Sequence, residues 1–195
     1  MAIILASTSP IRRRLLENAG VPFIAKKPTV DEQELKRNAR GLARETLPLH
    51  LASAKALSIS KLLRDDLVIG ADQVLSFSGK AFDKPASSEE AKLHLAELRG
   101  KSHTLISAVC CARGDEILWH YSNRAELTMR YFSDRFLEDY IATAGADIST
   151  SVGAYKLEGQ GIQLFERVDG DYFTVLGLPL LPLLEFLRST GEIGS

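Results

Sequence analysis

Short apolar runs and amphipathic stretches take turns along this chain, and two long extended runs, 103–112 and 117–129, meet at a tight Gly114-Asp115 turn. That alternation with one antiparallel hairpin gives an α/β protein built on a mixed sheet. Ile3-Ile4-Leu5 reads as a short buried strand. It feeds a helix capped by Ser9, with Pro10 at the first helical position and Gly20 at the end. Val21 to Ile24 begins a second extended piece. Helical periodicity runs over 42–63, with Pro48 expected to break or restart it. Leu67 to Ala71 forms a buried strand that delivers Asp72 to its C-terminal end, and Val74 to Phe77 continues as strand to a turn at Ser78-Gly79. Further helices are expected over 89–98, capped by Ser87 or Ser88, and from Ser133 to near Gly145. A strand over 162–168 and a helix from Leu178 to Leu187 close the chain.

At 195 residues the chain can form one sizeable core or two small lobes, and no repeat or long linker divides it. A formal net charge of -1 argues against a nucleic-acid partner but leaves room for a local basic pocket. The two cysteines, Cys110 and Cys111, are adjacent, which disfavours a disulfide framework and fits a reducing cytoplasm. No stretch approaches a membrane span, and the apolar run Met1 to Ala6 is too short for a signal-peptide core. No CxxC pair, HExxH, nucleophile elbow or GxxxxGK[ST] is present. His50, His94, His103 and His120 show no ligand spacing, and Trp119 reads as strand packing.

Arg12, Arg13 and Arg14 fall in the first turns of the Ser9 helix, where the partial positive charge favours acidic side chains. An anion there would use the free N–H groups, the Ser7 and Ser9 hydroxyls and the guanidinium forks together. The competing interpretation is a solvated basic face with Arg13 paired to Glu17. Asp72 after an apolar strand is either a site carboxylate or a turn-former. Asp31-Glu32 offers oxygen ligands for Mg²⁺ or Mn²⁺, or is a solvated acidic loop. Lys55, four residues after Leu51, and Lys84, before Pro85, either snorkel or meet an anion. The glycines of Gly153 to Gly161 permit close backbone approach to a ligand, or only a turn before a strand.

Taken in order, these segments resemble the Maf family of septum-formation-inhibitor-like nucleoside triphosphate pyrophosphatases. The resemblance rests on Leu5-Ala6-Ser7-Thr8-Ser9-Pro10 with Arg12, Asp31-Glu32, Ala52 with Lys55-Ala56, and Gly70-Ala71-Asp72-Gln73-Val74. Lys84-Pro85, Leu98-Arg99-Gly100 with His103, Gly153-Ala154-Tyr155 and Gly177-Leu178-Pro179-Leu180 complete it. It implies a single domain over 1–195: a mixed sheet flanked by helices, two lobes around a central cleft, often dimeric. It implies hydrolysis of a nucleoside triphosphate to monophosphate and pyrophosphate with a divalent cation, Mg²⁺ or Mn²⁺. In that scheme Asp72 is the acid–base residue, Ser7, Arg12, Lys55 and Lys84 bind phosphate, and Glu32 and Asp72 hold the metal.

Two positions depart from the family pattern. Ser9-Pro10-Ile11-Arg12 stands where Ser-Pro-Arg-Arg is usual, so the first motif arginine is absent. Glu158 stands where the pyrimidine-preferring branch carries glutamine. A glutamine amide suits the mixed donor–acceptor edge of uracil or thymine, whereas a carboxylate only accepts. Guanine presents N1–H and N2–H₂ side by side, and a cationic 7-methylguanine favours a carboxylate further. Similarity to the 7-methyl-GTP branch continues through Gly161-Ile162-Gln163-Leu164-Phe165-Glu166-Arg167. Glu158 is therefore the expected base-recognition residue for guanine-type triphosphates. The rivals are a dTTP/UTP pyrophosphatase, a generic phosphohydrolase releasing orthophosphate, and a nucleotide-binding regulator of cell division with little turnover.

Overall fold

The computed structural model describes every residue except positions 40, 42 and 195. Its seven strands are β1 (Ile3–Ala6), β2 (Ile24–Lys26), β3 (Leu67–Phe77), β4 (Lys80–Phe82), β5 (Ser102–Arg113), β6 (Glu116–Met129) and β7 (Phe165–Asp169). The helices are α1 (Pro10–Asn18), α2 (Glu32–Asn38), α3 (Leu47–Ser60), α4 (Ser88–Leu98), α5 (Asp134–Ala144), α6 (Tyr172–Val175) and α7 (Leu180–Ser189). One sheet runs in the order β2-β1-β3-β5-β6-β7, with β4 added to β3. β1 pairs in parallel with β2 and β3, while β3–β4 and β6–β7 are antiparallel, so the sheet is mixed as expected.

The chain forms two compact units. The first comprises Met1–Gln73, Ile106–Asn123 and Gly177–Ser195, and the second Val74–Leu105 and Arg124–Leu176. In the first, α3 lies on the sheet through small side chains. Ala52, Ala56 and Ile59 meet Ile4, Ala6, Val68, Ala108 and Cys110. A Cβ added at Gly70 would stand 2.2 Å from the Ala52 carbonyl oxygen, so glycine alone permits this approach. On α7, Phe186 stacks on Trp119 of β6 at 4.9 Å and 10°. In the second unit Leu95, Leu98, Leu105, Leu127, Phe132 and Leu137 are buried, and α4 meets α5 through a Lys92–Glu138 ion pair at 3.0 Å. Among the described residues no helix is long and apolar enough to cross a membrane.

Several boundaries differ from expectation for local reasons. β3 does not stop at Asp72: it runs on to Phe77, and Leu75 pairs with Phe82. What ends near Asp72 is the parallel pairing with β1, whose last register pair is Ala6 with Gly70. The expected helix over 42–63 begins at position 42, outside the described residues, and α3 starts only at Leu47. Pro48 then lies in the first turn, where a missing N–H costs nothing. α2 exists because Asp31 caps it, accepting from the N–H groups of Gln33 and Glu34. Residues 160–164 wind into a 3-10 turn, so β7 begins at Phe165. Pro179 disfavours helix at Leu178, which moves the start of α7 to Leu180.

Candidate active site

The loop between β1 and α1 holds the first part of the site. Ser7 is buried, and its Oγ accepts from the Ser9 N–H at 3.2 Å, while Ser9 Oγ caps the Arg12 N–H. Helical spacing then separates the three arginines: Arg13 and Arg14 are exposed, and Arg12 turns inward. Arg12 Nε donates to the Gly177 carbonyl at 2.8 Å, and Nη1 donates to the Ala71 carbonyl at 2.8 Å and to Ser7 Oγ at 3.4 Å. These bonds leave Nη2 as the fork's remaining donor. Burial lowers the Arg12 pKa, and the negative charges of Asp72 and Glu32 oppose that shift. Gly177, at φ +92°, brings its backbone against both Arg12 and Gln73.

Asp72 and Lys55 form the centre. Lys55 lies on the packed face of α3 with Leu51, Ala52 and Ala56, which buries its stem. Its Nζ stands 2.6 Å from Asp72 Oδ1 and 3.0 Å from Glu32 Oε1. The Lys55 and Asp72 side chains are only 7% and 10% exposed, while Glu32 is 51% exposed. The acidic pair of the sequence thus divides its work. Asp31 is committed to the α2 cap, and capping places Glu32 at the first helical position facing Lys55.

Two cations, Arg12 and Lys55, balance two carboxylates here. A polyphosphate entering such a cluster calls for further positive charge. Asp72 and Glu32 are hard oxygen donors, and Mg²⁺ is commonly held by one or two carboxylates together with waters and substrate phosphates. The donor set therefore fits Mg²⁺ or Mn²⁺. Among the described residues no group of three or more His, Cys, Asp or Glu could hold an ion, so protein ligands alone would leave its coordination incomplete.

Residues 2–190 match the family described as Maf-like protein. The chain belongs to the Maf family. A 7-methyl-GTP pyrophosphatase of Rhizobium meliloti is 47% identical over 193 residues, covering 98% of this chain and 97% of that protein. A nucleoside triphosphate pyrophosphatase of Rhodospirillum rubrum is 48% identical over 193 residues, with 98% and 96% coverage. A second 7-methyl-GTP pyrophosphatase, from Rhizobium etli, is 45% identical over 193 residues, with 98% and 97% coverage.

Of the Maf motif residues, the first unit brings together Ser7, Arg12, Glu32, Lys55 and Asp72. Lys84 and Glu158 belong to the second unit, and both are exposed: Lys84 between β4 and α4, Glu158 in a turn. That unit holds a cavity of about 150 Å³ lined by Tyr140, Asp147, Tyr155, Lys156 and Gly161 among others. Two of the glycines near Glu158, Gly153 and Gly161, serve the chain itself. A Cβ at Gly161 would stand 2.5 Å from the Lys156 carbonyl oxygen, and one at Gly153 would strike the Tyr155 ring. His103 and Tyr155 form a buried pair, Nε2 to OH at 2.7 Å. Ser107 was not anticipated. It is fully buried on β5, and Gln73 Nε2 donates to its Oγ at 3.0 Å. A serine inside the apolar run Leu105 to Ala112 was the available signal.

Proposed function

We propose that this chain hydrolyses nucleoside triphosphates to the monophosphate and pyrophosphate, with guanine-type, 7-methylated triphosphates as preferred substrates. The observation that carries this is the buried Lys55–Asp72 pair with Glu32 and Arg12 around it, in a Maf chain with relatives named for that reaction. Asp72 orients a water and takes its proton as the oxygen attacks the α-phosphorus. Arg12 Nη2 and Lys55 stabilise negative charge on the phosphate oxygens and on the departing pyrophosphate. Ser7 Oγ, already between the Ser9 N–H and Arg12, orders the loop that carries both. Glu32 and Asp72 would hold a divalent cation, which would supply Lewis-acid neutralisation of the triphosphate.

Lys84 as a phosphate ligand and Glu158 as the base reader are carried by the family resemblance, with the donor–acceptor argument added for Glu158. The reduced, buried Cys110 and Cys111 suit a cytoplasmic setting, and the family resemblance favours a homodimer. The deciding experiment is a panel of canonical and 7-methylated nucleotides with Mg²⁺ or Mn²⁺, scored separately for pyrophosphate and orthophosphate. Pyrophosphate with a preference for 7-methyl-GTP is the expected result. Orthophosphate as the product, or binding without turnover, would overturn the proposal.

A further inference from the structure

One buried ammonium occupies both carboxylates that suit a divalent ion. Lys55 Nζ bonds Asp72 Oδ1 at 2.6 Å and Glu32 Oε1 at 3.0 Å, so it already supplies the positive charge between them. Its side chain is 7% exposed, on a helix whose Leu51, Ala52 and Ala56 are also buried, so it is withdrawn from solvent as a surface lysine is not. A divalent ion approaching alone meets a site whose negative charge is neutralised, with an ammonium in contact with both oxygens. It would also find too few protein ligands, since no third acidic, His or Cys side chain joins the pair among the described residues. A triphosphate changes both conditions. Its oxygens compete for the ammonium, and they complete the coordination of a hard cation.

We infer that Lys55 is a resident counter-ion that keeps the site closed to free divalent metal and yields its carboxylates only when a polyphosphate arrives. The lysine then exchanges carboxylate partners for phosphate oxygens, and Asp72 and Glu32 accept the ion that travels with the nucleotide. This rests on the hydrolytic function proposed above and adds to it an order of events: metal enters with substrate, not before it. While the ammonium holds Oδ1 the Asp72 carboxylate is occupied, and it becomes available only in the presence of substrate.

The test measures Mn²⁺ binding to the full nucleotide-free chain, by titration calorimetry and by the electron paramagnetic resonance signal of free Mn²⁺. The wild type is expected to bind more weakly than about 0.1 mM. Lys55→Met is expected to bind about tenfold tighter or better, because a neutral side chain leaves two carboxylates facing the charge of Arg12 without the ammonium between them. The double variant Lys55→Met/Asp72→Asn should lose that gain, which locates it at Asp72. Wild-type binding tighter than about 0.1 mM, or no gain in a folded Lys55→Met, would overturn the inference. Removing the ammonium from a buried carboxylate is destabilising, so circular dichroism accompanies each variant, and where Lys55→Met does not fold the wild-type value decides. Pyrophosphate release is assayed in parallel at saturating Mn²⁺. Release together with tight wild-type binding refutes the gate alone, whereas no release from any nucleotide refutes the hydrolytic function.

Discussion

Gly70→Ala puts the coupling between packing and chemistry to the test. The new methyl would stand 2.2 Å from the Ala52 carbonyl oxygen, 2.7 Å from the Ala56 nitrogen and 3.0 Å from Ala56 Cβ. A comfortable carbon–oxygen contact is about 3.3 Å, so α3 and β3 must separate by roughly 1 Å. The obstructing atoms are two of the backbone and one Cβ, so no rotamer change relieves the overlap. Overpacking of this kind costs about 1–3 kcal/mol, and the absence of a soft neighbour puts this case near the top of that range. For a chain of this size that is a fall in Tm of roughly 4–12 °C. The same displacement acts on the site. Lys55 adjoins Ala56, and Asp72 lies two residues beyond Gly70 on β3, so a 2.6 Å ion pair would open towards about 3.6 Å, past hydrogen-bond range. Misplacement on this scale is expected to lower kcat by about 100-fold. Thermal melting followed by circular dichroism and a pyrophosphate-release assay measure the two effects. A melting temperature within about 1 °C of wild type with unaltered kcat would refute the close-approach argument.

Asp72→Asn should lower turnover by about 10²–10⁴-fold with an unchanged far-ultraviolet spectrum, and near-normal pyrophosphate release would remove its role as base. Glu158→Gln should shift kcat/KM from 7-methyl-GTP towards dTTP and UTP, and unchanged selectivity would exclude Glu158 from base reading. Burial holds the His103 imidazole near 4, below its usual 6.5, so the unfolded chain binds a proton that the native one refuses between those values. Stability from this group is therefore complete above about pH 6.5 and is lost as pH falls towards 4, by about 2 kcal/mol between pH 7 and pH 5. Urea unfolding of wild type and His103→Gln at both pH values should show a shallower pH dependence in the variant, and parallel curves would refute the assignment.

The motifs were legible because each has a local cause. Ser9, Ser87 and Ser133 cap helices in sequence and in structure, and the Gly114-Asp115 turn joins β5 to β6 as the alternation required. Long-range partnerships were not legible. The family motif singles out Arg12, but the local pattern of Arg12-Arg13-Arg14 does not give its partners, because those are carbonyls at Ala71 and Gly177 far along the chain. Asp31 and Glu32 look equivalent as neighbouring carboxylates until the cap of α2 claims one and frees the other for Lys55. Asp72 is not a strand end, and the sequence marks none there; the partner strand β1 ends instead. Ser107 stands out as a serine in an apolar run, but its partner Gln73, 34 residues away, has no periodic signature.

The hydrogen bond from Arg12 to Gly177 joins residues 165 positions apart. During synthesis the loop after β1 therefore leaves the ribosome long before Gly177 exists, and until then the guanidinium is held through Nη1 alone, by Ala71 and Ser7. Every carboxylate and lysine assigned to the chemistry precedes Gly177, yet a nascent chain stopped short of that glycine would lack the carbonyl that holds Arg12 Nε. Closure of so distant a contact belongs to the slow, final stage of folding. Gly177 thus decides when the loop after β1 is fully braced.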